Sequence, residues 1–361
     1  MIKNIYLDAN AQCISLQSAK EKLIDTLEIL GNPSSFHYHG QAARHVLDEA
    51  RFIVAEYLES STKGVIFTSG ASESNRLFLD SLLKNIENNN KNTKILCSIY
   101  EHPSLLKPII SMQNHHLCHI DFFTLANEYD VSKYDVIICT QAHNETGIIP
   151  DLDYLCNFAN DNCLIMSDIS QGLARLKKVN KRVDVLTASG QKMGAFSGCG
   201  LWVLRNKALE LPVPYEHYAQ ERGYRGGTQA LALIAAFAQS LTEIDWLIKE
   251  HEKLTPLRDF FEEEVLKMTN ALVVGKNFPR LSNTSAIYFP HQNADSLRIN
   301  MDLAGLSVGF GSACAGLAPQ SSFALQHLLN KDAKSTVRFS FLYNHSLENT
   351  KEALARLKKI F

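Results

Sequence analysis

The sequence predicts an α/β protein with a mostly parallel sheet, joined to a smaller α+β unit. Three observations carry this. Short apolar runs alternate with helix-spaced or polar segments as far as residue 204. Polar residues with chemical potential follow directly after several of those runs. Beyond residue 230 the alternation gives way to long helical patterns and a few late strands. The chain has 361 residues, 45% hydrophobic and 20% charged. That composition excludes a disordered chain and leaves room for one large domain or two of ordinary size. The expected division is residues 15–240 as the large domain, with 1–14 and 241–361 as the small one.

In chain order, residues 40–58 place Ala43, Val46, Leu47, Ala50, Ile53, Val54, Tyr57 and Leu58 at helical spacing. A strand, Val65-Ile66-Phe67, runs into the small-residue loop Thr68-Ser69-Gly70-Ala71-Ser72. A second helix carries Leu77, Leu79, Leu82, Leu83 and Ile86, and the Asn/Lys-rich stretch 85–94 reads as a solvated loop. Further strands are expected at 94–99, 136–140, 163–167, 185–188 and 201–204. One long helix is expected over 230–254, then strands at 285–289 and 337–341. A glycine-rich segment lies at 305–316, and a closing helix at 347–359.

Formal net charge is -2, from 36 Lys+Arg against 38 Asp+Glu. This gives no support for DNA or an anionic membrane surface as partner. No apolar run reaches the ~18 residues a bilayer requires. Met1 to Leu7 reads as a mixed segment entering structure and not as a signal peptide, so the cytoplasm is the expected address. The eight cysteines include no Cys-x-x-Cys pair, which removes the usual zinc and thioredoxin signals. Reduced thiols are expected, and Cys97, Cys139 and Cys163, in apolar runs, read as core residues.

Ligands of open α/β sheets bind at the carboxyl ends of strands. Strand 94–99 is followed by Glu101-His102, strand 136–140 by Gln141 to Gly147, strand 163–167 by Asp168 and Gln171, and strand 185–188 by Ser189-Gly190-Gln191-Lys192. Loop 68–72 opens onto a helix. It fits either a phosphate site at a helix N-terminus or a plain strand–helix turn. It is not a Walker loop, since Gly-Lys-Ser/Thr is absent. Lys192 fits either a solvated surface lysine or a Schiff-base lysine. Pyridoxal phosphate needs a lysine, a carboxylate for its ring nitrogen and a phosphate cup. Lys192, Asp168 and loop 70–72 would supply all three.

With these residues in view, the chain resembles the cysteine desulfurases, in the NifS-like group of the class V aminotransferase superfamily. The resemblance runs from Tyr6-Leu7-Asp8 almost to the end. It is carried by Gly31-Asn32-Pro33-Ser34-Ser35 with His37, by Phe67 to Asn75, and by Glu101-His102. Asn144-Glu145-Thr146-Gly147, Asp168 with Gln171, and Ser189 to Lys192 follow. The last matches are Arg225-Gly226-Gly227-Thr228, Gly311-Ser312-Ala313-Cys314 and Val337-Arg338-Phe339-Ser340. The resemblance implies the fold type I architecture of pyridoxal-phosphate enzymes, with helices on both faces of the large sheet.

It also implies roles. Lys192 would carry the cofactor, Asp168 would pair with its ring nitrogen, and His102 would stack on the ring. Asn144 and Gln171 would contact the ring hydroxyl. Ala71, Ser72, Ser189 and Gln191 would serve the phosphate, and Thr228 would reach the phosphate of the neighbouring subunit in a homodimer. Arg338, with Asn144 and Asn10, would bind the substrate, L-cysteine. Cys314 would take the sulfur as a persulfide, leaving alanine, and pass it to an acceptor protein. Iron-sulfur cluster assembly or tRNA thiolation is the implied destination.

The sequence departs from the family at several points. Gln191 stands where the family has His, and it can donate to phosphate without carrying a proton. The segment Asp8 to Cys13 differs at the substrate end. The stretch after Cys314 reaches Pro319 early, and the chain stops at Phe361 where scaffold-docking relatives have a longer tail. These changes fit a specialised acceptor, a weaker enzyme or dependence on a partner. Two alternatives stand beside the desulfurase: a selenocysteine lyase or other class V aminotransferase-like enzyme, and a degenerate homologue. Cys314 argues against an aminotransferase, which needs no thiol. Intact Lys192, Asp168, His102, Cys314 and Arg338 argue against degeneracy.

Overall fold

The structure, a computed structural model, describes residues 4–89, 92–115, 117–215, 219–311, 322–330 and 333–361. The chain divides into two compact units. The larger comprises Ile14–Gln141 and Pro150–Ile244, and the smaller Met1–Cys13, Ala142–Ile149 and Asp245–Phe361.

The strands in chain order are β1 (Ile5–Leu7), β2 (Val65–Thr68), β3 (Lys94–Ser98), β4 (His119–Phe123), β5 (Val136–Ile138) and β6 (Leu164–Asp168). They continue as β7 (Val185–Ser189), β8 (Gly200–Leu204), β9 (Leu272–Val273), β10 (Thr284–Tyr288), β11 (Leu306–Phe310) and β12 (Thr336–Ser340). The larger unit holds a seven-stranded sheet ordered β2-β8-β7-β6-β5-β3-β4. Pairings from β7 through β6, β5 and β3 to β4 are parallel, whereas β8 runs antiparallel to both β7 and β2. It follows that β8 alone is reversed and that six strands end on the same edge. The loops after β2, β3, β5, β6 and β7 are therefore neighbours along one rim.

The core of this unit is formed where the strands' apolar side chains meet the helices. Ile66, Ile95, Ile138, Met166, Val185 and Trp202 pack with Phe78, Leu82, Leu105 and Ile109. Helix Tyr38–Tyr57 buries Ala43, Leu47, Ala50 and Val54, and its start is capped by His37, which accepts from the Gly40 amide. Helix Leu231–Leu241 buries seven of its eleven residues, which accounts for its apolar sequence. No single helix among the described residues is long and apolar enough to cross a membrane.

The smaller unit carries a five-stranded sheet, β1-β11-β12-β10-β9. Its β1–β11 pair is parallel and the others are antiparallel. Phe261, Phe339 and Phe341 fill its core, with ring centroids of Phe261 4.9 and 5.6 Å from the other two. Segment Ala142–Ile149 belongs here because Ile149 N donates to Pro279 O and Leu281 N to Gly147 O, both at 2.8 Å. The expected large-domain range of 15–240 includes that segment.

Two sequence expectations change. The solvated loop at 85–94 begins later, since helix Ala71–Asn89 continues through Asn89. The long helix over 230–254 is two helices, Leu231–Leu241 and Ile244–Glu252. The first ends where Thr242 Oγ1 donates back to Gln239 O, an alternative to continuing the helical ladder. Strand β4 was given no element by the sequence, because its apolar content is too brief to stand out.

Candidate active site

At the end of β6, Asp168 is held from several sides. Its backbone oxygen accepts from Thr140 Oγ1 and from Gln141 N, both at 3.0 Å. Its carboxylate accepts from Ser170 N at 2.9 Å on one oxygen and from Asn75 Nδ2 at 3.1 Å on the other. Asp168 pairs in register with Thr187 on β7. Thr187 Oγ1 in turn donates to Asn75 Oδ1 at 2.6 Å. The carboxylate is thus fixed in orientation and 5% exposed.

His102 caps helix Pro103–Asn114. Its Nδ1 accepts from Ser104 N at 3.1 Å and lies 2.7 Å from Ser104 Oγ. Burial, and next the Lys192 ammonium, pull the ring down to about 4, against an upward pull from Asp168. The imidazole is therefore neutral near pH 7. Lys192 closes a 3₁₀ turn, Gly190–Lys192, directly after β7. Glycine is required at 190, because a Cβ there would lie 2.8 Å from the Phe237 ring and 3.0 Å from Phe196 O. His102 thus lies within electrostatic reach of both Lys192 and Asp168, all three in the larger unit.

The loop from β2 into helix Ala71–Asn89 lies beside Ser189. A Cβ built on Gly200 would sit 2.4 Å from Gly70 Cα, so only glycine at 200 lets β8 pass under the loop. At Gly70 itself a Cβ would meet only Ser189 Oγ, at 4.0 Å. The turn at Gly70 is thus uncrowded beside a hydroxyl, while Ser69 N donates to Glu73 Oε2, whose other oxygen accepts from Arg225 Nε at 3.0 Å. Ala71 is half-buried and Ser72 exposed. Ser189 Oγ lies 3.4 Å from Gln191 Oε1. Gln171 Oε1 accepts from Arg175 Nη1 at 3.0 Å, which fixes the rotation of its amide. Thr228 is exposed.

Asn10, Asn144 and Arg338 come together in the smaller unit. Asn10 Nδ2 donates to Asn144 O at 3.1 Å and to Thr284 Oγ1 at 2.9 Å. Arg338 Nη1 donates to the same Asn144 oxygen at 3.1 Å. Arg338 lies across Gly309 of the neighbouring strand, where a Cβ would come within 2.5 Å of Nη2. Its Nε is buried without a hydrogen-bond partner among the described residues. Buried Glu145 is raised by desolvation, opposed by the Ser322 hydroxyl and by Arg338. Cys314 lies outside the described residues.

Several residues were given no role by the sequence. Asn75 stands inside the Phe67–Asn75 motif, which was its only signal. Glu101, before His102, is buried, with Oε1 accepting from Thr140 N and Oε2 unpartnered among the described residues. Burial, and then Asp168, raise its carboxyl well above the ordinary range. Nothing in the sequence distinguishes it from a solvated glutamate.

The class-V aminotransferase family model matches residues 5–356. The chain is 27% identical over 368 residues to cysteine desulfurase IscS 1 of Archaeoglobus fulgidus, covering 96% of this chain and 94% of that protein. Among solved structures, a NifS-like protein from Rickettsia africae superposes with a TM-score of 0.84 at 23% identity, covering 99% of both chains. The apo cysteine desulfurase from Thermococcus onnurineus gives 0.85 at 19% identity, over 99% of this chain and 94% of that one. The architecture is that of these NifS-like, fold type I proteins.

Proposed function

The chain belongs to the class-V aminotransferase family, and on that premise we propose that it is a cysteine desulfurase, converting L-cysteine to L-alanine and passing the sulfur to an acceptor. The family depends on pyridoxal 5'-phosphate. The residues present fit that group: a fixed carboxylate, a neutral buried imidazole, a lysine within electrostatic reach of that imidazole, and a glycine-bearing turn at a helix start. Bound there, the cofactor would supply an electron sink next to the substrate's Cα.

The chain's own residues then divide the work. Lys192 would hold the cofactor and serve as the base for the Cα proton. Asp168 would accept from the ring nitrogen, and His102, neutral near pH 7, would stack on the ring. The amides of Ala71 and Ser72, with Ser189 and Gln191, would hold the phosphate, and Gln171 and Asn144 would serve the ring hydroxyl. Arg338 binds the substrate carboxylate, for which its unpartnered Nε offers a donor, and Asn10 steadies Asn144. The Cys314 thiolate attacks the substrate sulfur. The S–S bond forms as the Cβ–S bond breaks, and the released electron pair and a proton complete the methyl group of alanine.

The observation that carries this reading is the Asp168–His102–Lys192 arrangement at the strand ends. Exposed Ile24, Leu27, Leu30, Phe36 and Tyr38, between 60% and 91% accessible, support a homodimer, as does exposed Thr228. The functional test is incubation of the purified protein with L-cysteine, measuring alanine and sulfide. Equimolar alanine and reducible sulfur are expected, and alanine without a protein persulfide would favour a lyase.

A further inference from the structure

Asn75 links two of the residues given to the cofactor ring. It is fully buried at the start of helix Ala71–Asn89. The Nδ2 end of Asn75 donates to Asp168 Oδ2 at 3.1 Å. The same Nδ2 donates to Ser104 Oγ at 2.9 Å. That hydroxyl is thereby an acceptor from Asn75, and its own proton is directed to His102 Nδ1, 2.7 Å away. The Oδ1 end accepts from Thr187 Oγ1 at 2.6 Å, which locks the amide against rotation. The result is one continuous path, Asp168–Asn75–Ser104–His102, within a single unit.

We propose that Asn75 is a positioning residue for the cofactor ring: one amide orients the Asp168 carboxylate toward the ring nitrogen and, through Ser104, holds the His102 imidazole. This rests on the reading that the site takes pyridoxal phosphate. Asn75 touches neither cofactor nor substrate in this role. It acts by offering two N–H donors to groups that would otherwise turn or take up protons. A carboxylate deprived of such a donor binds its proton more tightly and competes less well for the ring nitrogen.

The test uses two variants and titration of the apo-protein with pyridoxal phosphate at pH 6 and pH 8. Asn75→Leu keeps the shape and removes both donors. It should weaken cofactor binding about tenfold, equally at both pH values, as expected for a lost charge-assisted hydrogen bond. Asn75→Asp keeps the shape and places a second carboxylate beside Asp168. When protonated it still donates, and when ionised it repels, so its binding should weaken by a further factor of about ten between pH 6 and pH 8. Nitrogen-15 resonances of ring-labelled cofactor should show less ring-nitrogen protonation in Asn75→Leu. If Asn75→Leu does not fold, the near-isosteric Asn75→Asp carries the test. Binding within twofold of wild type in the folded variants, or an equal, pH-independent loss in Asn75→Asp, overturns the proposal. A wild type that binds no pyridoxal phosphate overturns the underlying reading instead.

Discussion

Asp8 Oδ1 lies 2.5 Å from Arg338 Nη2, so the guanidinium proposed for the substrate carboxylate is already paired on one side. Asp8 fixes the fork, while Nε remains unpartnered among the described residues. A bidentate arginine positioned in advance binds a carboxylate with little further ordering. Arg338→Ala should raise KM for L-cysteine roughly 10- to 100-fold, the range for a lost charged hydrogen bond, with cofactor loading unchanged. Steady-state kinetics and the visible spectrum check this, and an unchanged KM would remove Arg338 from the substrate site.

Lys192 is expected to hold the cofactor covalently. The purified protein should be yellow, and borohydride reduction should leave a mass increment on the peptide carrying Lys192. Lys192→Ala should lose both the increment and turnover. A reduced adduct mapped to any other lysine would contradict the assignment.

Cys13, Cys97, Cys118, Cys139, Cys156, Cys163 and Cys199 are all buried. Burial pushes Cys118 up to about 11 and Cys156, Cys163 and Cys199 up to about 12, with Cys97 and Cys139 also well raised. The six raised thiols stay protonated at neutral pH, Cys13 is shielded by burial, and protonated or shielded thiols are poor nucleophiles. Brief treatment with L-cysteine should therefore add one sulfur, on the peptide containing Cys314. Cys314→Ser should bind cofactor normally and gain none. Alanine release at the wild-type rate by that variant would mean the thiol is not the nucleophile.

Arg51 and Glu221 form a buried two-pronged pair at 2.9 and 2.8 Å, and Glu221 also accepts from Phe67 N and Gln229 Nε2. Glu221 and Arg222 both have positive φ, 45° and 55°, a conformation that costs energy in non-glycine residues. The pair thus holds a strained turn just ahead of Thr228. Glu221→Gln leaves Arg51 buried and uncompensated and should cost about 3–5 kcal/mol in urea denaturation. Burial alone would raise the Glu221 carboxyl, but the hydrogen bonds and charge of Arg51 outweigh it and hold it below 4.5. A lowered folded-state value means full stabilisation above pH 4.5, lost as pH falls through that lower value. Wild type should therefore lose stability faster than Glu221→Gln on acidification below pH 4.5.

Much of the larger unit could be read from sequence because its strands are short apolar runs, each ended by a polar residue. Val185–Ser189 and Leu164–Asp168 fall within one residue of expectation. His119–Phe123 does not announce itself, since His119 and Asp121 interrupt its apolar pattern. The break at 242–243 was hidden because apolar periodicity continues across it. In the site, Lys192, Asp168 and His102 were legible as residue types at strand ends. Asn75, Ser104 and Thr187 were not, because their importance is a matter of hydrogen bonds between elements far apart in sequence. A single chain of letters gives a buried asparagine no distinguishing mark.

The reversed strand has a consequence for biosynthesis. Strand β2, which leads into the loop proposed for the phosphate, lies at the sheet edge with β8 as its only neighbour among the described residues. Its partner residues, Gly200 to Val203, are made more than a hundred residues later. During translation β2 therefore waits unpaired while β3 to β7 emerge, and the cradle at Gly70 cannot form until Leu204 has cleared the ribosome. A nascent chain arrested before β8 should be unable to capture cofactor, however much of the remaining sheet has already folded.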